Sequence, residues 1–158
     1  MKQLPLSRGL YTLVDDADYD FLSMWKWSAK QYRNNCYAVR RDKSNKIIKM
    51  HRELLSLTNP KIEGDHINGN GLDNQRKNLR TCSHQQNICN QRKSSANSSG
   101  YKGVSYRKDI GKWDAYIKVN QKRIWLGCFK IKEDAARAYD DAARIYFGEF
   151  ARPNLEVI

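Results

Sequence analysis

The sequence predicts an α+β protein built from two small units joined by a flexible linker. Residues 93–100 are small and polar without an apolar anchor, so this segment cannot offset its own ordering entropy. After it, three alternating strand patterns precede an alanine-rich helical pattern, which is typical of an antiparallel sheet packed on one helix. Before it, a loop rich in Gly and Asn separates strand patterns from a helical one. The predicted units therefore cover residues 1–93 and 101–158, with the linker at 94–100.

The N-terminal unit shows short elements separated by turns. An alternating run at residues 9–14 predicts a strand, and a helix is predicted over residues 17–25. Phe21, Leu22 and Trp25 fall on one face of that helix and are predicted to be core. Further patterns predict two strands, a short helix, a strand and a second helix, at residues 37–41, 46–50, 51–57, 78–81 and 84–92.

The C-terminal unit has a clearer pattern. Strands are predicted at residues 103–107, 113–119 and 123–127, and a helix from residue 132 to residue 147. Alanines at helical spacing give that helix a close-packing face, and Gly148 is predicted to end it. Trp113 is interpreted as core rather than as a contact residue.

Charge indicates a polyanionic partner. Lys and Arg outnumber Asp and Glu by 29 to 17, and each phosphate that a cation neutralises releases counterions. Between residues 101 and 132 nine cationic residues stand against two acids, with Trp113 and Trp125 interleaved. The helix that follows is roughly balanced in charge, so the sheet is the predicted DNA-facing side. A basic chain kept soluble by its charge is the alternative interpretation.

The sequence gives little support for a membrane-spanning or a secreted protein. No apolar run approaches the length of a membrane span, and the N-terminus lacks the apolar stretch of a signal peptide. A cytoplasmic location follows, that of a bacterial host if the gene is phage-encoded. The four cysteines form no C-x-x-C pair, which favours reduced, buried thiols. Zinc held by Cys82, His84 and Cys89 is the alternative.

The stretch from Gly64 to Asn87 contains residue types suited to phosphodiester hydrolysis. Asp65 and His66 are neighbours at a strand end, where adjacent side chains diverge. A histidine is a suitable general base near neutral pH, and a carboxylate with an amide oxygen favours Mg²⁺ or Mn²⁺ over zinc. The alternative is that Asp65 and Asn68 are turn residues and Asn78 a loop cap.

Three positions resemble a known motif. The pair Asp65-His66, the run Asn78-Leu79-Arg80, and Asn87 nine residues after Asn78 resemble the HNH nuclease motif in its phage homing-endonuclease variant. The resemblance implies a ββα-metal fold with its motif at residues 51–92. It implies one Mg²⁺ or Mn²⁺ held by Asp65 and Asn87, with His66 as general base and Asn78 holding the loop. His84 and Asn90 remain alternatives to Asn87, the role of His51 stays open, and Arg80 is a candidate DNA contact.

A second resemblance covers residues 101 to about 154. Tyr101-Lys102-Gly103-Val104, Gly111-Lys112-Trp113, Trp125-Leu126-Gly127 and the run from Ala135 to Ala143 resemble the plant Apetala-two/ethylene-response-factor domain. In that family the sheet enters the DNA major groove, which implies contacts by position from Lys102, Arg107, Lys112, Lys118, Arg123 and Trp125. Ser105 and Tyr116 stand where plant members place Arg and Glu, so the base preference of the plant domain is not transferred.

Together the two resemblances predict a metal-dependent DNA endonuclease of the mobile-intron type. Its partner is double-stranded DNA at a site selected partly by the C-terminal unit. No small-molecule substrate and no membrane are expected, and the chain is expected to be a monomer. The alternative is a sequence-specific DNA-binding regulator with an inactive nuclease fold. A nuclease that serves restriction or DNA packaging is a third interpretation.

Overall fold

Residues 1–32, 35–94 and 96–155 are described by the computed structural model. The chain divides into two compact units, Met1–Asn87 and Ile88–Ile158, each with its own apolar core. Antiparallel sheets alternate with α-helices along the chain, which confirms the predicted α+β class. None of the helices in the described part of the chain has the length and apolar character that a bilayer crossing requires.

The N-terminal unit opens with a short hairpin and a helix. Strand β1 (Lys2–Pro5) pairs antiparallel with β2 (Tyr11–Val14), and α1 (Asp16–Ser23) follows. Asp16 and Asp18 lie in the first turn of α1, where negative charge interacts favourably with the helix dipole.

Only part of the predicted core of α1 is buried. Leu22 is fully buried, whereas Phe21 and Trp25 are 45% and 43% exposed. Two geometrical reasons account for the difference. Successive residues of a helix are rotated by roughly 100°, so Phe21 cannot share the inward direction of its neighbour. Trp25 lies beyond the end of the helix, and its ring is covered instead by the Arg40 guanidinium at 4.2 Å.

A three-stranded sheet forms the middle of this unit, in the order β3 (Ser28–Tyr32), β4 (Asn35–Arg41) and β5 (Ile47–Lys49). Helix α2 (Met50–Leu54) continues directly from β5. Met50 is fully buried in the same cluster as Leu22 and carries α2 onto the core.

A second hairpin ends the unit. Strand β6 (Glu63–His66) pairs with β7 (Leu79–Cys82), with Asp65 opposite Arg80, and α3 (His84–Cys89) follows. The loop between the strands is held by Asn and Asp side chains, as its composition predicts. The order of two strands and a helix agrees with the prediction for this stretch, while the metal-binding form of that fold stays a prediction.

The C-terminal unit is a three-stranded antiparallel sheet packed on one long helix. The sheet has the order β10 (Lys122–Phe129), β9 (Lys112–Val119), β8 (Val104–Arg107), and the helix is α4 (Lys132–Phe147). Gly148 ends α4 with a φ of 52°, a conformation that glycine adopts at little cost. The predicted architecture of this unit is therefore confirmed.

Alanines bring α4 close to the sheet. Ala135 and Ala136 pack with Val104 and Ala115 in one cluster. Ala142, Ala143 and Tyr139 pack with Ile117 in a neighbouring cluster. Because an alanine side chain is a single methyl group, the helix axis can approach the strands more closely than leucines would allow.

One irregularity interrupts β10. Its register against β9 shifts between Trp125 and Gly127, so that Trp125 opposes Tyr116 while Gly127 opposes Ala115. This is a β-bulge, which adds one residue to one strand and increases the local twist. As a result Cys128 lies opposite Asp114.

The predicted linker carries hydrogen bonds in its described part. Asn97 accepts from the Gly100 amide at 2.7 Å, and the Ser99 hydroxyl donates to the Tyr101 carbonyl at 2.9 Å. Ser95 of the linker and residues 156–158 of the predicted C-terminal unit lie outside the described residues. The division between compact units falls after Asn87, so the boundary at residues 93–94 stays a prediction.

Candidate nucleic-acid interface

The sheet of the C-terminal unit has two chemically different faces. Val104, Ala115 and Ile117 are buried against α4 and define the inner face. Because side chains alternate along a strand, the residues between them point the other way. We call this side the outer sheet face; it carries Ser105, Arg107, Lys112, Asp114, Tyr116, Lys118, Arg123 and Trp125.

Three of the predicted contact residues are exposed at one end of the outer sheet face. Lys118 and Arg123 are exposed and directly opposite each other on β9 and β10. Trp125 opposes Tyr116 and is 61% exposed, which is unusual for so large an apolar ring. An exposed indole beside two cations is suited to contact with a nucleic-acid backbone or base edge.

Arg123 contacts an aromatic ring on the outer sheet face. Its guanidinium lies over the ring of Tyr116, 3.5 Å from the ring centroid. Arg123 pairs with Lys118, and Tyr116 is two residues before Lys118 on the same face, so Arg123 and Tyr116 are diagonal neighbours. Long and aromatic side chains can span that separation. Arg123 therefore leans across the sheet toward Tyr116, away from the like charge of Lys118.

Arg107 and Lys112 occupy the other end of the face, directly opposite each other. Arg107 forms two hydrogen bonds to Asp109, at 2.8 and 2.6 Å, and one of 3.3 Å to Asp114. Hydrogen bonds to these carboxylates raise the pKa of the Arg107 side chain above its ordinary value. The charge of Arg107 is thus partly compensated within the protein. Lys112, opposite it, is half-buried.

Asp114 is a carboxylate buried within a cationic surface. It is 1% exposed and accepts hydrogen bonds from the Tyr116 hydroxyl at 2.8 Å and from Arg107. The bond from Tyr116, with those from Cys128 and Arg107, holds the pKa of Asp114 below its usual range. Sequence reasoning counted this residue only as an acid. Its position in the alternation with Lys112 and Tyr116 is the signal that would have placed it on the outer face.

Lys102 lies apart from the outer sheet face. Its amine donates to the carbonyl oxygens of Cys89 at 3.0 Å and Arg152 at 3.5 Å. Burial lowers the pKa of this amine to about 8. Its predicted DNA contact requires the side chain to leave these partners.

The predicted HNH residues cluster in the N-terminal unit. Asp65, His66 and Asn78 are all buried. The Asn78 side chain donates to the Asp73 carbonyl at 2.7 Å and accepts from the Asn68 amide at 3.0 Å, so it braces the loop. Asp65 and His66 therefore lie at the end of β6 and Asn78 just before β7, on either side of one loop.

The two predicted metal ligands already have partners. Two nitrogens of Arg80 lie 2.9 Å from Asp65 Oδ2, and this guanidinium is largely buried. Asn87 donates to one oxygen of Glu63, whose other oxygen is 2.8 Å from His84 Nδ1. A divalent ion at Asp65 and Asn87 would have to displace these contacts, so the arrangement does not fit a ready-made oxygen-ligand site. Mg²⁺ or Mn²⁺ at these residues stays a prediction.

The alternatives for metal binding are not assembled into a site. In the described residues no group of three or more His, Cys, Asp or Glu side chains is placed to hold a metal ion. Cys82 donates to the Glu63 carbonyl at 3.7 Å, and Cys89 is half-buried. Asn90, the other candidate ligand, is buried in the unit that begins at Ile88.

His51 and His66 form a buried pair. Their rings meet edge to face with centroids 4.8 Å apart, and the Tyr37 ring contacts both. Burial lowers the pKa of His51 to about 2 and lowers that of His66 as well. His66 Nε2 is 3.3 Å from Asn74 Oδ1, a contact that opposes the lowering. Both imidazoles are therefore neutral at physiological pH.

Comparison with known proteins identifies the C-terminal unit. Residues 99–149 match the AP2 domain family. This stretch includes β8, β9, β10, the whole of α4 and hence the entire outer sheet face. The resemblance of this unit to the Apetala-two/ethylene-response-factor domain is confirmed.

The relatives that match are plant transcription factors. The chain is 48% identical to ethylene-responsive transcription factor ERN3 of Medicago truncatula over 60 residues, which is 37% of this chain and 25% of that protein. It is 48% identical to ethylene-responsive transcription factor RAP2-11 of Arabidopsis thaliana over 64 residues, 39% of this chain and 25% of that protein. Dehydration-responsive element-binding protein 2C of Arabidopsis thaliana is 45% identical over 60 residues, 37% of this chain and 17% of that protein. The chain thus spans about a quarter or less of the length of these relatives.

These comparisons contradict the prediction of an enzyme. The relatives are named as transcription factors and not as nucleases, and the match to the AP2 domain supports DNA binding. They give no support for the predicted hydrolase, HNH, metal-binding, phage or mobile-intron assignments. The physical reason lies in the motif itself: short matches at Asp, His and Asn are a weak signal, because loops use the same residue types for turn geometry.

Proposed function

We propose that this protein is a sequence-specific double-stranded-DNA-binding regulator that contacts DNA through the outer sheet face. The observation that carries the proposal is the difference between the two faces of one sheet. The inner face is buried and apolar, whereas the outer face presents Lys118, Arg123 and an exposed Trp125 to solvent. The names of the relatives, as transcription factors and an element-binding protein, support the same class.

Shape and charge both suit the major groove of DNA. That groove is wide enough to admit a β-ribbon, and its base edges distinguish all four base pairs. The excess of 29 Lys and Arg over 17 Asp and Glu provides the long-range attraction. Lys112 and Lys118, on the same strand and face, are the candidates for phosphate contact, while the Arg123 fork matches the acceptors of guanine.

The DNA sequence that this protein prefers is expected to differ from the preference of the plant domain. Tyr116 and Ser105 occupy the outer sheet face at two of its central positions, and neither carries a charge. A surface with these residues offers base edges a different set of donors and acceptors from one with ionised side chains there. The binding site should therefore be determined by selection from random duplexes.

A charge-matched comparison tests the proposal. The full chain is titrated with a selected duplex and with a random duplex at several salt concentrations. Lys112→Ala/Lys118→Ala should weaken binding to both duplexes and reduce the salt slope by about 2, since each phosphate contact contributes about 1. The control Arg137→Ala/Arg144→Ala removes the same charge from α4, where both arginines pair with acids, and should leave the slope unchanged. Equal changes in affinity and salt slope for the two double variants would refute the outer sheet face as the DNA-binding surface.

The fate of the DNA is measured in the same reactions. One series contains a chelator and the other Mg²⁺, and the strands are separated after incubation. If the protein is a regulator, both DNA strands remain at full length in both series. Cut or nicked strands that depend on Mg²⁺ would contradict the proposal.

A further inference from the structure

We propose that Tyr116 is a positioning residue that fixes the orientation of Arg123 on the outer sheet face and so determines part of the DNA sequence preference. This inference rests on the proposed function, since it concerns the same surface. Three contacts connect its parts: Arg123 lies on the Tyr116 ring, the Tyr116 hydroxyl bonds Asp114, and Asp114 also accepts from Arg107.

The first step is the stacking contact. At 3.5 Å from the ring centroid, the Arg123 guanidinium lies in van der Waals contact with the face of Tyr116. A stacked guanidinium keeps its N–H groups directed outward in the plane of the fork, where they remain available for two parallel hydrogen bonds. Without the ring, the flexible arginine would sample many rotamers and would lose more entropy on forming such a pair.

The second step is the hydrogen bond that holds the Tyr116 hydroxyl in place. The Tyr116 hydroxyl donates to Asp114 at 2.8 Å, and Asp114 is 1% exposed. That hydrogen bond raises the pKa of Tyr116, so its hydroxyl remains protonated and remains a donor. A ring held at its tip by a buried carboxylate has little freedom to turn, and the guanidinium resting on it is oriented accordingly.

The third step links the two arginines. Asp114 accepts from Tyr116 and from Arg107, so one buried acceptor connects residues on β8, β9 and, through the ring, β10. The carboxylate is shielded from an approaching phosphate by the groups that bond it. The outer sheet face therefore presents guanidinium groups at fixed positions while its one buried acid stays hidden.

Specific and electrostatic binding respond differently if this inference is correct. Tyr116 carries no charge, so its loss should not change the number of phosphates neutralised or the salt slope. It should reduce the ratio of specific to random affinity, because a correctly oriented bidentate arginine discriminates between bases by a factor of about five or more. A purely structural role would instead lower stability and affect both duplexes alike.

The experiment is a double-variant comparison on the full chain. Tyr116→Leu, Arg123→Lys and the double variant are each subjected to selection from a random duplex pool and to affinity measurements on the wild-type site. Each single variant should lose about fivefold or more in specificity ratio, and the double variant no more than the stronger single one. Tyr116→Phe keeps the ring without its hydroxyl and should fall between wild type and Tyr116→Leu. Tyr146→Leu, an exposed tyrosine of α4, is the matched control and should behave as wild type.

The outcomes separate this inference from the proposed function. A wild-type chain that selects a defined site, together with additive losses in the double variant, would overturn the positioning role alone. An unchanged site and unchanged ratio in Tyr116→Leu would do the same. A wild-type chain that selects no site at all would overturn both proposals.

Discussion

Gly103 lies immediately before β8 where the backbone passes directly over another side chain. Its φ is 70°, and a Cβ at this position would overlap the Tyr139 ring and the Tyr116 carbonyl oxygen. Gly103→Ala should therefore destabilise the C-terminal unit by more than about 1 kcal/mol, since the backbone strain and the overlap add. Thermal unfolding of the full chain followed by tryptophan fluorescence measures the change.

A second glycine separates these two causes. Gly111 has a similar φ of 65°, and its nearest neighbour for a Cβ is the Tyr106 hydroxyl at 3.7 Å, an ordinary contact distance. Gly111→Ala should cost only the backbone strain, about 1 kcal/mol. Equal losses for the two variants would mean that the close approach at Gly103 contributes nothing.

The stacked pair of His51 and His66 gives the N-terminal unit a pH dependence. Burial lowers the pKa of both below the unfolded value near 6.5, to about 2 for His51. Their neutral forms are thus favoured in the fold, and this stability is complete above pH 6.5 and lost as the pH falls toward the folded pKa. Between pH 7.5 and 5.5 the loss should be about 1–3 kcal/mol. Hydrogen exchange of the β6 and β7 amides measures it.

The control keeps the ring contact and removes one titrating group. His51→Phe should show a smaller pH-dependent loss than the wild type, because only His66 then titrates. Exchange protection in the wild type that is equal at both pH values, after correction for the intrinsic rates, would contradict the assignment.

Single residues also show which features of the candidate interface can be predicted from the sequence. Strand alternation correctly places Arg107, Lys118 and Arg123 on one side of the sheet, because the period of two is a local property. It cannot show that the Lys102 amine turns inward to backbone carbonyls. Nor can it show that Asp114 is shared between strands, because those contacts depend on packing between distant residues.

At the scale of elements, α4 is the part whose sequence is most constrained by packing. Ala136 is completely buried between the helix and the sheet. Ala136→Leu should force the helix away from β9 and cost about 1–3 kcal/mol. Arg137→Leu, at the next and exposed position, is the control and should cost less than about 1 kcal/mol. Chemical denaturation of both variants makes the comparison, and similar midpoints would indicate that the interface is loosely packed.

The elements that sequence patterns missed share a physical cause. Neither β1 nor β3 was predicted, and their sequences, KQLP and SAKQY, have no run of β-branched or aromatic residues. Each is a strand because a partner supplies the pairing, β2 in the first case and β4 in the second. The strands of the C-terminal unit and α4 were predicted because their alternation and alanine spacing are strong local signals.

At the scale of the whole molecule, the two functional predictions differed in the amount of sequence behind them. The C-terminal resemblance rests on several motifs in order over about 50 residues, and the AP2 match confirms it. The endonuclease prediction rests on short matches at Asp65-His66, Asn78-Leu79-Arg80 and Asn87 together with the basic charge and the downstream module, and the relatives contradict it. Asn-rich loops between strands contain such residues for turn geometry as well as for chemistry.

Leu126 is the extra residue at the bulge in β10, and its side chain packs against both apolar clusters of the C-terminal unit. Before it, Arg123 and Trp125 point outward; after it, Cys128 reaches Asp114 while Phe129 packs inward. Deleting Leu126 would remove the bulge but keep Cys128 opposite Asp114 and Phe129 opposite Trp113, and it would take the Leu126 side chain out of both clusters. Loss of this residue is therefore expected to weaken the packing of β10 against α4, while Cys128 keeps its outward direction.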